Sequence, residues 1–349
     1  METIERELPR VRFGDAQIEM AHGAGGKASR RLIEGLFVPL LANPILETLS
    51  DSAVTELNGS RLATTADAYV VKPLRFPGGS IGELAVNGTV NDLAVSGARP
   101  LGLMAAFIIE AGLAGETLRA EVEAMADAAR RANVSIVGGD TKVVEHGCAD
   151  GMYVATFGFG LVDPRARLSP NAVREGDRVL LSGPIGDHGI TILLARGELD
   201  LEADLVSDTR SVAPFAQALL DAAGSDLRWM RDPTRGGVAT ALNELVHATE
   251  FGITLFEEAI PLRDEVRGAC EILGLDPLHI ANEGQLIAVV APGAADAALA
   301  AMRAVPGGDG AVCIGEVRSK PARAVIATTS YGGSRIVDML VGDPLPRIC

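Results

Sequence analysis

Apolar and polar positions repeat with two periods along this chain, and each change of period marks an element. Positions 62–67 form a short apolar and threonine run, a buried strand ending in Asp67. Positions 81–96 have helical character and stop at Gly97, with Pro100 beyond. The almost unbroken apolar run 101–109 predicts a strand covered on both faces. Leu118, Val122, Met125 and Ala129 recur at helical spacing and predict a helix over 116–132 with that stripe inward. Strands are expected at 134–137 and 152–162. After a polar stretch at 168–176, a second set begins with a strand at 178–182. Helices near 189–194, 212–223, 238–249 and 265–273 and strands at 253–256, 286–290, 311–317 and 324–327 follow. Two α/β layer domains result, 36–167 and 168–338, with a glycine-rich lead-in at 1–35 and a tail at 339–349.

Charge narrows the function. The net formal charge is −15, which leaves no basic field for a nucleic-acid backbone. It leaves nucleotides open, because acidic side chains bind Mg²⁺ and Mg²⁺ binds phosphates. The four cysteines, at 148, 270, 313 and 349, form no CxxC pair, which speaks against a zinc ribbon or a dithiol centre. Sparse cysteines, no apolar leader over 1–12 and no apolar run of about 18 residues lead to the expectation of a cytoplasmic protein without a membrane span.

Chemistry concentrates where glycines meet charges. His22-Gly23-Ala24-Gly25-Gly26-Lys27 is not a P-loop, since Ala28 follows the lysine. It reads either as a phosphate flap carrying Lys27 or as a turn before a helix. Gly138-Gly139-Asp140-Thr141-Lys142 after a strand offers backbone N–H groups, a hard oxygen ligand and a cation; the alternative is a type I′ hairpin turn. Asp67, Asp92, Asp140 and Asp232 all sit at element ends beside glycines or turns, which favours Mg²⁺ and nucleotide over four separate caps. Glu283, in Asn282-Glu283-Gly284, reads as a general base, a second metal ligand or a turn carboxylate. Asp187 reads first as a helix cap beside His188, and His247 as a structural residue next to the core. The last residue, Cys349, stands behind Pro344, Pro346 and Arg347, an extended arm reaching about 25–30 Å from Val341.

Taken together, His22–Gly26, Thr65–Asp67, Asn91–Gly97, Gly138–Lys142, Gly186–Gly189, Asp232–Gly237, Asn282–Gly284 and the final Pro346-Arg347-Ile348-Cys349 resemble the HypE family of hydrogenase maturation proteins, in order over essentially the whole chain. The internal motifs are similar in outline to the wider ATP-binding superfamily of aminoimidazole ribonucleotide synthetase and selenophosphate synthetase. The ending narrows it.

The resemblance implies a two-domain, PurM-like α/β fold, a homodimer and ATP with Mg²⁺ in a cleft. It implies a carbamoyl group placed on Cys349 by a HypF-type carbamoyltransferase and ATP-dependent dehydration of that S-carboxamide to a thiocyanate. Cyanide then passes to iron on HypC and HypD. On this reading Gly25, Gly26, Asn91, Gly138, Gly139, Thr141 and Asp187 line the nucleotide, and Asp67, Asp92, Asp140 and Asp232 hold Mg²⁺. Lys142 meets the γ-phosphate or a developing oxyanion, Lys27 closes over the phosphates, Glu283 is the first candidate base and Cys349 is the covalent carrier. Two rivals stand beside it. A selenophosphate synthetase carries a reactive Cys or selenocysteine in its N-terminal glycine loop, and residues 22–27 have none. A non-catalytic thiol carrier has no use for the acids, all of which are present.

Overall fold

The computed structural model of the chain describes residues 12–197, 201, 203–329, 331–342, 345 and 347–349. Residues 1–11 of the N-terminal lead-in, and Pro344 and Pro346 on the tail, lie outside the described residues. The glycine-rich loop feeds a continuous helical run made of α1 (Lys27–Leu32), a π turn (Ile33–Phe37) and α2 (Val38–Leu41).

The first sheet holds β1 (Ala53–Leu57), β2 (Ser60–Tyr69), β5 (Ala98–Glu110), β6 (Ser135–Val144) and β7 (Met152–Val162), in the order β1-β2-β7-β5-β6. Only β5 and β6 run parallel. A small hairpin, β3 (Arg75–Phe76) and β4 (Gly79–Ser80), leads into α3 (Ile81–Val95), which packs on β2, β5 and β7; α4 (Gly115–Arg131) packs on α3. Alternation along β7 shows why one face is covered: Met152, Val154 and Thr156 are buried under the helices, while Phe157 and Leu161 face outward and are exposed.

The second sheet holds β8 (Arg178–Leu181), β9 (Leu227–Arg231), β10 (Gly252–Phe256), β11 (Ile287–Val290), β12 (Val312–Arg318), β13 (Val325–Thr328) and β14 (Ser334–Val337). Their order is β14-β13-β10-β12-β8-β11-β9, antiparallel except for β10 and β13. Around it lie α5 (Asp187–Ala195), α6 (Ala213–Ala223), α7 (Gly237–His247), α8 (Asp264–Leu273) and α9 (Ala295–Ala304). One apolar cluster joins the two halves: Val86, Leu103 and Val154 of the first pack with Ile190 and Val266 of the second and with Leu345 and Ile348 of the tail. Among the described residues no helix is long and apolar enough to cross a membrane.

Three expectations are corrected. Gly138–Lys142 is not a turn: β6 continues through it to Val144, paired with β5. This is an exposed edge strand, so no inward apolar alternation marks it in the sequence. On α4, Val122 faces solvent and Glu121 takes the fully buried place, held by Arg75 at 2.8 Å and the Gly82 amide at 3.2 Å. His247 is exposed, at the mouth of a depression it shares with Lys27, Arg30 and Asp338.

Candidate active site

Three carboxylates from three separate segments, two in the first half and one in the second, meet between the halves. Asp51 precedes β1, Asp92 lies in the last turn of α3, and Asp232 follows β9; one oxygen of each lies within 4.8 Å of the others. Thr65 fixes two of them, its hydroxyl lying 2.7 Å from Asp92 Oδ2 and 2.9 Å from the Asp51 carbonyl. Ser52 Oγ donates to the Asp92 carbonyl at 3.0 Å. Asp67, at the far end of β2, accepts from Thr89 Oγ1 at 3.0 Å and adds a fourth charge facing Asp92.

Burial and mutual repulsion make this cluster reluctant to ionise. Burial, with Glu244 and Asp67 nearby, pushes Asp51 up to about 6 against the pull of Arg231. Burial, reinforced by Asp51, pushes Asp232 up to about 7. Asp92 is held well above the usual carboxylate range by burial and by Asp67, Asp232 and Asp51. Arg231 answers part of the charge, 2.9 Å from Asp51 and 2.9 Å from Glu244. A set of hard oxygens with excess negative charge suits a divalent cation such as Mg²⁺.

Glu283, on the turn before β11, is buried, its carboxyl held well above the usual range by burial and by Asp232 and Asp208. The turn carrying it is tied on every side. Asp208 accepts from the Glu283 and Gly284 amides at 3.0 and 3.2 Å. Asn91 accepts from the Val212 amide at 2.7 Å and donates to the Arg210 and Glu283 carbonyls. Asn91 thus locks α3 to the Glu283 turn.

The tail docks against Val70, which follows β2, and against His188 of α5. Leu345 and Ile348 are each 3% exposed, burial worth about 1.5–3 kcal/mol apiece. The Val70 amide donates to the Cys349 main-chain oxygen at 3.0 Å, and the Val70 carbonyl accepts from Arg347 Nη2 at 3.1 Å. Arg347 also pairs with Asp150, and Arg196 donates to the Arg347 carbonyl at 2.8 Å. His188 Nε2 lies 2.7 Å from the Ile348 carbonyl. Negative charge at Cys349 is the largest influence favouring the cationic form of Arg235, with Asp67 and Glu283 acting the same way and burial opposing them.

The remaining sequence candidates take other places. Gly139 shares a face with Asp67 through the register Asp67–Thr156–Ala105–Gly139, so Asp140 points to the opposite face, three strands or about 14 Å away. Asp140 and Lys142 pair with each other there and are exposed. Thr141 donates its amide to Asp140, and Gly139 is needed for strand pairing, since a Cβ would sit 1.8 Å from the Ala105 carbonyl oxygen; Gly138 is open. A Cβ on Gly25 would meet Arg235 Cβ at 2.7 Å and one on Gly26 the Leu340 carbonyl oxygen at 2.3 Å, so both glycines serve close packing here. Lys27 pairs with Asp338 at 2.6 Å. Asp187 opens α5 after Gly186 and pairs with Arg263 at 2.7 Å. Sequence reasoning missed Asp51, Arg235, Arg231 and Asp208. Arg231 directly precedes the Asp232–Gly237 motif, Arg235 lies within it, and Asp51 stands between two serines before a strand, the available signals.

The two halves match known domains. Residues 49–162 match the AIR synthase related protein, N-terminal domain, and residues 174–327 the AIR synthase related protein, C-terminal domain. The carbamoyl dehydratase HypE of Bradyrhizobium diazoefficiens is 50% identical over 95% of this chain and 96% of its own length. The chain belongs to the HypE family. A crystal structure of HypE in complex with ATP superposes with a TM-score of 0.79 at 45% identity, covering 95% of this chain and 100% of that one. A HypE–HypF complex gives 0.84 at 43% identity, covering 88% and 99%. Like its relatives, this HypE-family chain has the two-domain PurM-like α/β fold.

Proposed function

We propose that this chain uses ATP to dehydrate a carbamoyl group carried on Cys349, converting an S-carboxamide into a thiocyanate whose cyanide serves [NiFe]-hydrogenase maturation. The observation that carries this reading is the docking of the tail: the Val70 amide donates to the Cys349 main-chain oxygen at 3.0 Å, three residues beyond Asp67, which adjoins the carboxylate cluster. It agrees with the names of the relatives, carbamoyl dehydratase HypE.

The chemistry follows from what each group can do. An amide oxygen is a poor leaving group. Its attack on the γ-phosphorus of ATP releases ADP and leaves an O-phosphoryl group in its place. Nitrogen loses its two protons, the C–O bond breaks to release phosphate, and the C≡N bond forms. Glu283 would take a proton from nitrogen; burial, with Asp232 and Asp208 nearby, makes its carboxylate more basic than usual. Arg235, whose cationic form Cys349, Asp67 and Glu283 favour, would stabilise negative charge as it develops. Asp51, Asp92 and Asp232, with Asp67 adjoining, would hold Mg²⁺, which when bound supplies charge neutralisation for the nucleotide phosphates.

Three partner assignments belong to the same proposal. A HypF-type transferase loads Cys349, in keeping with the solved HypE–HypF complex. HypC and HypD receive the product. A second copy of this chain covers the outer face of the first sheet, where Met104, Ile108, Phe157 and Leu161 are all exposed. Asp140 and Lys142 share that face, so any part they take in handling nucleotide is taken at the subunit boundary. The cytoplasm is the proposed site of action. Intact-protein mass tests the reading: the carbamoylated chain loses one water only with Mg·ATP, and an adduct that persists with Mg·ATP supports a carrier without catalysis instead.

A further inference from the structure

The segment between α5 and α6 makes two sets of contacts that the reaction needs, from adjacent residues. Residues 203–210 leave the second half of the molecule and cross the β3–β4 hairpin of the first. The Ser207 amide donates to the Pro77 carbonyl at 2.9 Å, and a Cβ on Gly78 would come within 2.9 Å of the Ser207 backbone. Thr209 packs on Gly79 and lies 3.4 Å from Asn87 of α3. The segment is thus strapped across both halves directly under the tail.

Ser207 reaches the tail through His188. Its hydroxyl is 2.8 Å from His188 Nδ1 and accepts from the Thr209 amide at 3.1 Å. A carbonyl only accepts, so Nε2 must carry the proton and donate to Ile348; Nδ1 of the neutral ring then accepts from Ser207. The chain of hydrogen bonds runs from the Thr209 amide through Ser207 and His188 to the Ile348 carbonyl, one residue before the thiol. Phe76 fixes the ring plane edge-on at 5.6 Å. Asp208, the next residue, holds the Glu283 and Gly284 amides in its two carboxylate oxygens, and the Arg210 amide donates to the Glu283 carbonyl at 3.3 Å.

We propose that Ser207 and Asp208 are a paired positioning device for the dehydration: Ser207, through His188, sets the last peptide and so the Cys349 thiol, while Asp208 sets the turn carrying Glu283. Because the two are consecutive on one strap, the carrier and the base are held in a single register. A displacement of about 1 Å between reacting groups costs on the order of a hundredfold in rate, which is the scale on which such a device acts.

The inference rests on the dehydratase reading, and the experiment separates the two. The chain and its Ser207→Ala and Asp208→Asn variants are carbamoylated by the partner transferase, and loss of water is timed at varied Mg·ATP. The unmodified chains are also exposed to a carboxypeptidase, with release of Cys349 followed by mass. Both variants are expected to lose about tenfold or more in kcat with KM for ATP unchanged. Release of Cys349 speeds up in Ser207→Ala and stays at the parental rate in Asp208→Asn, because only Ser207 acts on the tail. Parental kcat in Ser207→Ala overturns the proposal, as does a parallel rise in KM for ATP or equal tail release in both variants. Should Asp208→Asn melt early, the Ser207→Ala arm decides alone. If the parent chain itself loses no water with Mg·ATP, the dehydratase reading fails; if it does and the variants match it, only the positioning device fails.

Discussion

Val70 donates its amide to the Cys349 main-chain oxygen at 3.0 Å, and Val70 directly follows the strand that carries Asp67. The last residue of the sequence is therefore seated against the same strand that delivers an acid to the carboxylate cluster. That link makes the tail part of the site rather than an appendage.

Asp232→Asn tests the cation-binding role of the cluster. Asp232 is buried and repelled by Asp51, so the neutral isostere relieves like-charge strain. Without divalent cations the variant melts at or above the parental Tm. Mg²⁺ raises the parental Tm and leaves the variant's unmoved, because a ligand that binds only the folded state stabilises it by mass action. Turnover falls by about 10²–10³. A variant with full turnover removes Asp232 from the mechanism.

Glu283→Gln separates loading from dehydration. Cys349 is carbamoylated at the parental rate, and the subsequent loss of water slows by about 10²–10⁴, the range for a general base. Mass spectra over time read both steps in one sample. Equal slowing of the two steps would mean that Glu283 shapes the fold instead.

His188 gives a pH dependence. Burial pulls its imidazole down to about 4, against about 6.5 when unfolded. Between these values the unfolded chain binds a proton that the folded chain refuses. The contribution is complete above about 6.5 and is lost as pH falls toward 4, by up to about 3 kcal/mol. Denaturant unfolding of the parent and of His188→Gln across that window gives diverging curves, the parent being the steeper. Parallel curves contradict the buried neutral ring.

Phe157→Asp tests the outer face of the first sheet. Phe157 and Met104 are paired across β7 and β5 and each is 46% exposed. A charge at that point stops a second copy from covering the patch, and light scattering shows a monomer where the parent is a dimer. A parental monomer removes the homodimer from the proposal.

The two-layer halves were legible because covered strands and helices carry apolar periods. The 81–96 helix and the 152–162 strand are where the pattern puts them, as α3 and β7. Gly138–Lys142 was not legible as strand, since an exposed edge has no inward face to record. Val122 and Glu121 exchanged places because Arg75 and the Gly82 amide satisfy the glutamate, and no periodicity reports a partner far along the chain. Asp67, Asp92 and Asp232 were singled out from their places at element ends; Asp92 and Asp232 meet with Asp51, and Asp67 acts on Asp92 electrostatically. Asp140 was not separable from them in the sequence, because which face a residue takes depends on register across several strands. Asp51 and Asp208 lacked a glycine motif beside them, and their roles come from distant partners, Arg231 and the Glu283 turn.

The measurement that goes most directly to the claim uses the carbamoylated chain with heavy oxygen in the carbamoyl group. After one turnover with Mg·ATP, the inorganic phosphate released is analysed by mass. Attack of the carbamoyl oxygen on the γ-phosphorus predicts the label in phosphate, one atom per thiocyanate formed. Unlabelled phosphate alongside thiocyanate would contradict it, placing ATP hydrolysis outside the dehydration step.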